Sequence, residues 1–208
     1  MTLASLKRFI ERPREPQPEE ERCEMCATPI QAEHSHVVNV ESRKLICTCR
    51  PCYFLFTHQG AAGGKVRAVP ERYRHDPGFR LDDATWSQFQ IPVRTAFFFT
   101  NSHLGKVVAF YPSPAGATES LLDLAAWEGL VAQNPTLAEL EPDVEALLVH
   151  AGRGGGFDCF LVPINACYEL VGRVRQTWRG FDGGEEAWRE IDGFFAGLRA
   201  RSKPVGQQ

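Results

Sequence analysis

Apolar residues along this chain recur in two rhythms, at every second position and at every third to fourth, and the changes of rhythm mark out its elements. "HVVNV" (36–40) and "KLIC" (44–47) are apolar runs separated by the polar "ESR", which predicts a β-hairpin. "CYFLFTH" (52–58) predicts one or two turns of helix, "HQGAAGG" (58–64) a loop and "KVRAV" (65–69) a strand. From residue 82 the pattern alternates between helix and strand. "DDATWSQF" offers an Asp N-cap and a short helix. "VRTAFFF" (93–99) and "KVVAFY" (106–111) read as strands around the hairpin loop "TNSHLG". "LDLAAWEGLVAQ" (122–133) has helical spacing and stops before Pro135. "VEALLVH" and "FDCFLVPI" are two more strands, flanking "AGRGGG". Asn165 is the expected cap of a helix that aligns Tyr168, Val171, Val174 and Trp178. A last helix, about 184–201, carries Trp188, Ile191, Phe195 and Leu198 on one face.

These elements divide the chain into three stretches. Residues 1–21 form an N-terminal segment, a short amphipathic helix or a frayed end at 1–10, followed by the Pro/Glu linker "ERPREPQPEEE" (11–21). Residues 22–75 are a cysteine-rich module, and residues 82–202 an α+β domain, an antiparallel sheet packed with helices. Charge follows the same division. Residues 22–80 hold nine Lys/Arg against five Asp/Glu, whereas residues 81–208 hold ten against sixteen. The front is thus mildly basic, short of the character that marks nucleic-acid binding.

Hydrophobic content of 43% and charged content of 24% are those of a soluble globular protein. No stretch approaches the roughly 20 apolar residues of a membrane span. The start "MTLASLKRFIERPREP" lacks the long apolar region of a signal peptide, so the expected location is cytoplasmic. Thiols stay reduced there, and clustered cysteines then point to metal before disulfide.

Five cysteines fall between residues 23 and 52, and their spacing is the strongest signal in the chain. Cys23-x2-Cys26 is followed by 22 residues and then Cys49-x2-Cys52. Each C-x2-C turn lets two thiolates converge on one ion, and two turns supply the four sulfurs of a tetrahedral zinc site. The connecting length suits the hairpin between them. A knuckle, a hairpin and a helix bearing the second pair resemble a treble-clef zinc module, with a zinc ribbon as the close alternative. Cys47 is the odd thiol out. It lies two residues from Cys49 and either competes for the ion or packs in the hairpin as a small hydrophobe, the latter being the expectation. His34 and His36 in "AEHSH" are further possible ligands, with surface or supporting roles expected where four thiols suffice.

Iron is the competing ion, because the same four thiolates describe a rubredoxin site. Rubredoxin knuckles usually place Gly after the second cysteine; Ala27 and Tyr53 stand there in this chain. A five-cysteine iron–sulfur cluster matches no known run at this spacing. Elsewhere, "AGRGGGF" (151–157) lacks the Gly-Lys-Ser/Thr ending of a phosphate loop and reads as a hairpin loop. "YPSPAGATES" (111–120) reads as a long connector ending in a helix, or as an anion- or partner-binding loop. Cys167 falls at a helix start, where thiol reactivity can rise, yet no histidine is spaced to serve it, and core packing is expected for it. No Ser-His-Asp or Cys-His set and no paired carboxylates emerge, so no enzyme is expected.

The phrases "IPVRTAFFF", "VVAFYPSPAGATESLL", "LEPDVEALLV" and "LVPINACYELVGRVRQTWRGF", behind the cysteine segment, resemble an uncharacterised bacterial family, a domain of unknown function. The resemblance runs from about residue 20 to residue 200. It implies an association with gene neighbourhoods of uptake NiFe-hydrogenases, and it carries no catalytic residues to transfer. The expectation is a non-enzymatic zinc-binding accessory protein with a protein client, a hydrogenase subunit or maturation factor. A rubredoxin-like iron electron carrier is the alternative. A nucleic-acid-binding zinc module, suggested by Arg67, Arg72 and Arg74, comes last.

Overall fold

A computed structural model describes residues 20–151, 155–180 and 183–206. The expected helix at 1–10 and most of the 11–21 linker lie outside the described residues, as does part of the 151–157 loop. Among the described residues no helix is long and apolar enough to cross a membrane.

The front hairpin forms as its alternation predicts. β1 (Ser35–Asn39) pairs antiparallel with β2 (Lys44–Thr48), bringing His36 opposite Cys47 and Val38 opposite Leu45. α1 (Arg50–Phe54) follows at once, with Pro51 in its first turn, where the missing N–H costs nothing. β3 (Val66–Ala68) returns along the other edge of β1, giving a three-stranded sheet in the order β2-β1-β3.

The second sheet has seven strands. β4 (Arg74–His75), β5 (Thr95–Asn101), β6 (Lys106–Ser113), β7 (Gly116–Ser120), β8 (Glu145–His150), β9 (Asp158–Pro163) and β10 (Lys203–Pro204) lie in the order β10-β4-β9-β8-β5-β6-β7. Every pairing is antiparallel except β10 with β4, so the sheet is mixed at one edge. Residues 111–120, read from sequence as a connector, are the end of β6 and all of β7, joined through a turn at residues 114–115. Ser113 Oγ secures that turn, donating to the Gly116 carbonyl at 3.0 Å.

Side chains on the two faces of this sheet belong to two separate cores, as the period of a strand requires. Phe97, Phe99, Leu148, Phe160 and Val162 point to one face, against α4 (Ile164–Thr177) and α5 (Gly184–Arg201). Ala96, Phe98, Leu147, Val149 and Leu161 point to the other, against α2 (Asp83–Gln88) and α3 (Leu124–Gln133). Burial on both faces explains why "AFFF" and "ALLV" read as unbroken apolar runs. Asp82 and Asp123 cap α2 and α3 by accepting from the backbone N–H groups of Thr85 and of Ala125 and Ala126. α4 departs from expectation: it starts at Ile164 straight out of β9, with Pro163 at its cap and Asn165 already inside the helix. At the start of α5, Gly183 has φ +89°, and a Cβ there would meet the Trp178 ring at 2.9 Å, so only glycine fits.

The front sheet shares the α4/α5 core. Val38 of β1 and Val69 are buried in the same cluster as Phe97, Val144 and Ile164, with Leu45 packed against it. Ion pairs close the same joint. Arg67 Nη2 lies 3.2 Å from Glu141, and its Nη1 lies 3.7 Å from Asp143. Arg72 forks onto Glu145 through two bonds of 2.6 Å, and Arg74 pairs with Glu139. The three arginines that suggested nucleic acid are therefore engaged with carboxylates between Glu139 and Glu145, at the entrance to β8.

Candidate metal centre

Cys23, Cys26, Cys49 and Cys52 come together from two tight turns. In the first, Ala27 N–H donates to the Cys23 carbonyl at 2.8 Å and Cys23 N–H to Thr28 at 2.9 Å, folding the chain back on itself. Ala27 closes this turn with φ +60°, the left-handed conformation usually left to glycine. In the second, Cys49 is the N-cap of α1, and its carbonyl accepts from Tyr53 N–H at 3.0 Å. Tyr53 anchors that helix, donating its hydroxyl to the Val69 carbonyl at 3.1 Å. Glu24 ties the first turn to the hairpin: its N–H donates to the Cys47 carbonyl, its Oε1 accepts from Cys47 N–H, each at 2.9 Å, and its Oε2 pairs with Lys44.

The four sulfurs lie within 4.8 Å of one another, and Cys26 Sγ and Cys49 Sγ are 3.6 Å apart. An ion ~2.3 Å from each of four thiolates needs sulfurs about 3.8 Å apart, so the set fits a tetrahedral thiolate site. Cys23 is buried and Cys26 exposed, which puts the centre at the surface with one side sealed.

The electrostatics of the cluster match that chemistry. Burial works to raise the Cys23 thiol, but backbone N–H groups of Cys49, Cys26 and Met25 aimed at its sulfur outweigh it and bring the pKa down to about 6. The hydroxyl and N–H of Thr28 hold Cys26 below the usual thiol range. Cys52 is pushed up to about 12, chiefly by the neighbouring Cys49 and Cys26. One thiol ionises readily and another resists, as expected of crowded thiols whose full ionisation needs a cation between them.

The remaining candidate ligands gather separately. His34, His36 and Cys47 present ligand atoms within 4.8 Å of one another and form a second group, apart from the four cysteines. Burial, then the neighbouring His34, lowers the His36 pKa to about 4. Burial, followed by Glu21 and Glu24, raises the Cys47 thiol. This grouping was hidden in the sequence until the hairpin register was known, because Cys47 lies opposite His36 only through the pairing of β1 with β2.

Cys159 and Cys167 are buried in the two cores, and burial raises both thiols strongly. Cys167, at the start of α4, is fully buried, and among the described residues burial alone acts on its thiol. Around the four-cysteine centre, in contrast, Met25, Phe54 and Leu55 remain exposed, one beside the first turn and two at the end of the helix that carries the second.

No curated protein and no solved structure matches the chain. A protein-family match spans the cysteine module and the α+β fold together. Residues 22–202 match the family described as "Family of unknown function (DUF5947)", and the chain belongs to that family.

Proposed function

We propose that the protein is a non-enzymatic, metal-binding interaction factor in which zinc, held by Cys23, Cys26, Cys49 and Cys52, folds the surface that meets a protein client. The observation that carries this reading is the convergence of four sulfurs from two turns that bracket a hairpin. A segment of about 35 residues buries little apolar surface of its own, and here Val38, Val69 and Leu45 borrow the core of the larger sheet. A structural zinc ion supplies on the order of 10–16 kcal/mol in peptides of this size. The order of turn, hairpin and helix supports a treble-clef module, and the apolar Met25, Phe54 and Leu55 beside the turns support a contact surface. The sequence phrases that resemble the hydrogenase-associated family support a NiFe-hydrogenase subunit or maturation factor as the client, in the cytoplasm.

A rubredoxin-like iron centre is the second reading, and two observations favour it. Ala27 takes up the left-handed conformation that glycine has in rubredoxin knuckles, and N–H groups are aimed at Cys23 as an electron carrier requires. Elemental analysis of the purified native chain with a visible spectrum separates the two. One colourless zinc in the four-cysteine centre supports the structural role; iron with thiolate charge-transfer bands and a reversible one-electron potential overturns it. Capture of purified hydrogenase subunits, compared between wild type and Phe54→Ser/Leu55→Ser, tests the client. Equal capture by both, or none by either, counts against the surface.

A further inference from the structure

The second cluster on the hairpin is built like a site of its own. β1 presents His36 directly opposite Cys47 of β2, and His34 immediately precedes the strand. The two imidazole rings lie 4.5 Å apart between centroids. Their ligand atoms and Cys47 Sγ lie within 4.8 Å of one another. A tetrahedral ion with Zn–N near 2.0–2.1 Å and Zn–S near 2.3 Å needs separations of roughly 3.4–3.6 Å, so about 1 Å of side-chain closure completes the geometry.

His34 is the group that points to a ligand. Its side chain is 8% exposed, and its Nδ1 lies 2.9 Å from the Gln31 carbonyl. Donation of Nδ1–H to that carbonyl fixes the tautomer and leaves the lone pair on Nε2. Nε2 is buried and has no hydrogen-bond partner among the described residues. A buried acceptor with nothing to accept is costly, and a histidine that donates one nitrogen to a backbone carbonyl while offering the other is the usual arrangement of a metal ligand. Carboxylates add to it: Glu21 lies 3.7 Å from His34 Nδ1, and Glu24 accepts from Cys47 N–H. The charge of Glu24 is shared with Lys44, and that of Glu21 beside His34 favours a cation.

We propose that His34, His36 and Cys47 form a second metal site, separate from the four-cysteine centre, for a borderline transition ion of the zinc class. Two neutral imidazoles and one thiolate suit zinc or cobalt, whereas hard ions prefer oxygen. Three protein ligands leave one coordination position for water or an exogenous ligand, and a cleft lined by His34, His36, Val69, Pro70, Tyr73 and Asn165 opens alongside. Binding releases the Cys47 thiol proton to solvent, one per ion. Three ligands bind more weakly than four thiolates, so the second site fills after the first and exchanges faster.

The test is a cobalt(II) and zinc(II) titration of the full chain, followed by native mass spectrometry and absorption. Wild type takes up two ions. The second cobalt equivalent adds about a quarter of the charge-transfer intensity of the first, one thiolate against four. His34→Ala/His36→Ala retains the first ion and loses the second, and Cys47→Ser loses the second ion's charge-transfer band. Saturation of wild type at one ion with the four-thiolate spectrum overturns the second site and leaves the proposed function standing. A second ion retained by the double-histidine variant also overturns it. A single ion whose spectrum carries one thiolate would instead sink the four-cysteine reading. The two failures are thus distinguishable.

Discussion

Replacing Arg72 with methionine removes the guanidinium that forks onto Glu145, and the cost follows from what that carboxylate then faces. Glu145 is fully buried, at 0% exposure, and the two 2.6 Å bonds from Arg72 are its main compensation. Its remaining contacts are Glu141 N–H at 3.0 Å and Arg74 Nη2 at 4.0 Å. Stranding a buried carboxylate by removing its partner costs ~3–5 kcal/mol, and the half-exposure of Arg72 sets this pair toward the low end. The backbone donor and the Arg74 guanidinium, whose Nη2 faces Glu145 while Nη1 holds Glu139, keep the loss to the lower end, about 3 kcal/mol. In a urea titration at saturating zinc, with a slope of ~2 kcal/mol/M, the midpoint falls by about 1.5 M. The melting temperature falls by roughly 6–12 °C for a chain of this length. The companion variant Arg72→Met/Glu145→Leu removes both charges and recovers to within about 1 kcal/mol of wild type, because apolar replacement of a buried pair is near neutral. A single variant that loses no more than an exposed pair would, about 1 kcal/mol or less, refutes the reasoning. So does a double variant as unstable as the single one.

Three further outcomes are expected. Cys52→Ser abolishes the four-thiolate site, and hydrogen exchange then shows residues 35–48 unprotected while β8 and α5 stay protected; retained metal stoichiometry would contradict this. Ala27→Gly relieves a left-handed alanine at φ +60° and raises the unfolding free energy by about 1 kcal/mol, measured by denaturant titration of the zinc-loaded chain. His150 is buried, stacked on Phe195 at 4.1 Å, and burial holds its pKa below the ordinary value despite Asp158 and Asp192 nearby. A histidine with a depressed folded pKa binds protons more readily when unfolded. Its stability contribution is therefore complete above pH ~6.5 and is lost as pH falls from there through the folded value. The melting-temperature gap between wild type and His150→Gln narrows on acidification from pH 7.5 to 5, and a gap that stays constant would disprove the assignment.

Much of this architecture was legible because local chemistry and tertiary structure agree. The paired C-x2-C turns bring the four cysteines together, and the hairpin, α2, α3 and α5 form where alternation, Asp caps and helical spacing put them. What escaped the sequence was non-local. β4 and β10 are two residues each, too short to carry a period, and exist only because β9 and the chain end lie beside them. Pro, Gly and small hydroxyl residues made 111–120 look like a connector, yet Pro112 sits near the end of β6, opposite Ala117, where one missing N–H is tolerated. The partners of Arg67, Arg72 and Arg74 lie 65 to 75 residues away, beyond any local signal. Asn165 looked like a cap because asparagine favours that position, but β9 runs directly into α4 and leaves no turn for it to close.

The burial of Val38 against the core of the larger sheet has a consequence for the protein's lifetime in a cell. A hairpin whose Val38 and Leu45 share a core with Phe97 and Leu148 uncovers part of that core when it opens, and an ion bound by the four cysteines would resist the opening. Ligand binding to the folded state adds stability as RT ln(1 + [L]/Kd), about 2.7 kcal/mol when free metal is at 100 times Kd. Proteases act on the open form, so turnover slows when the ion is abundant and quickens when it is scarce. The quantity of this protein would then follow metal supply without any change in its synthesis.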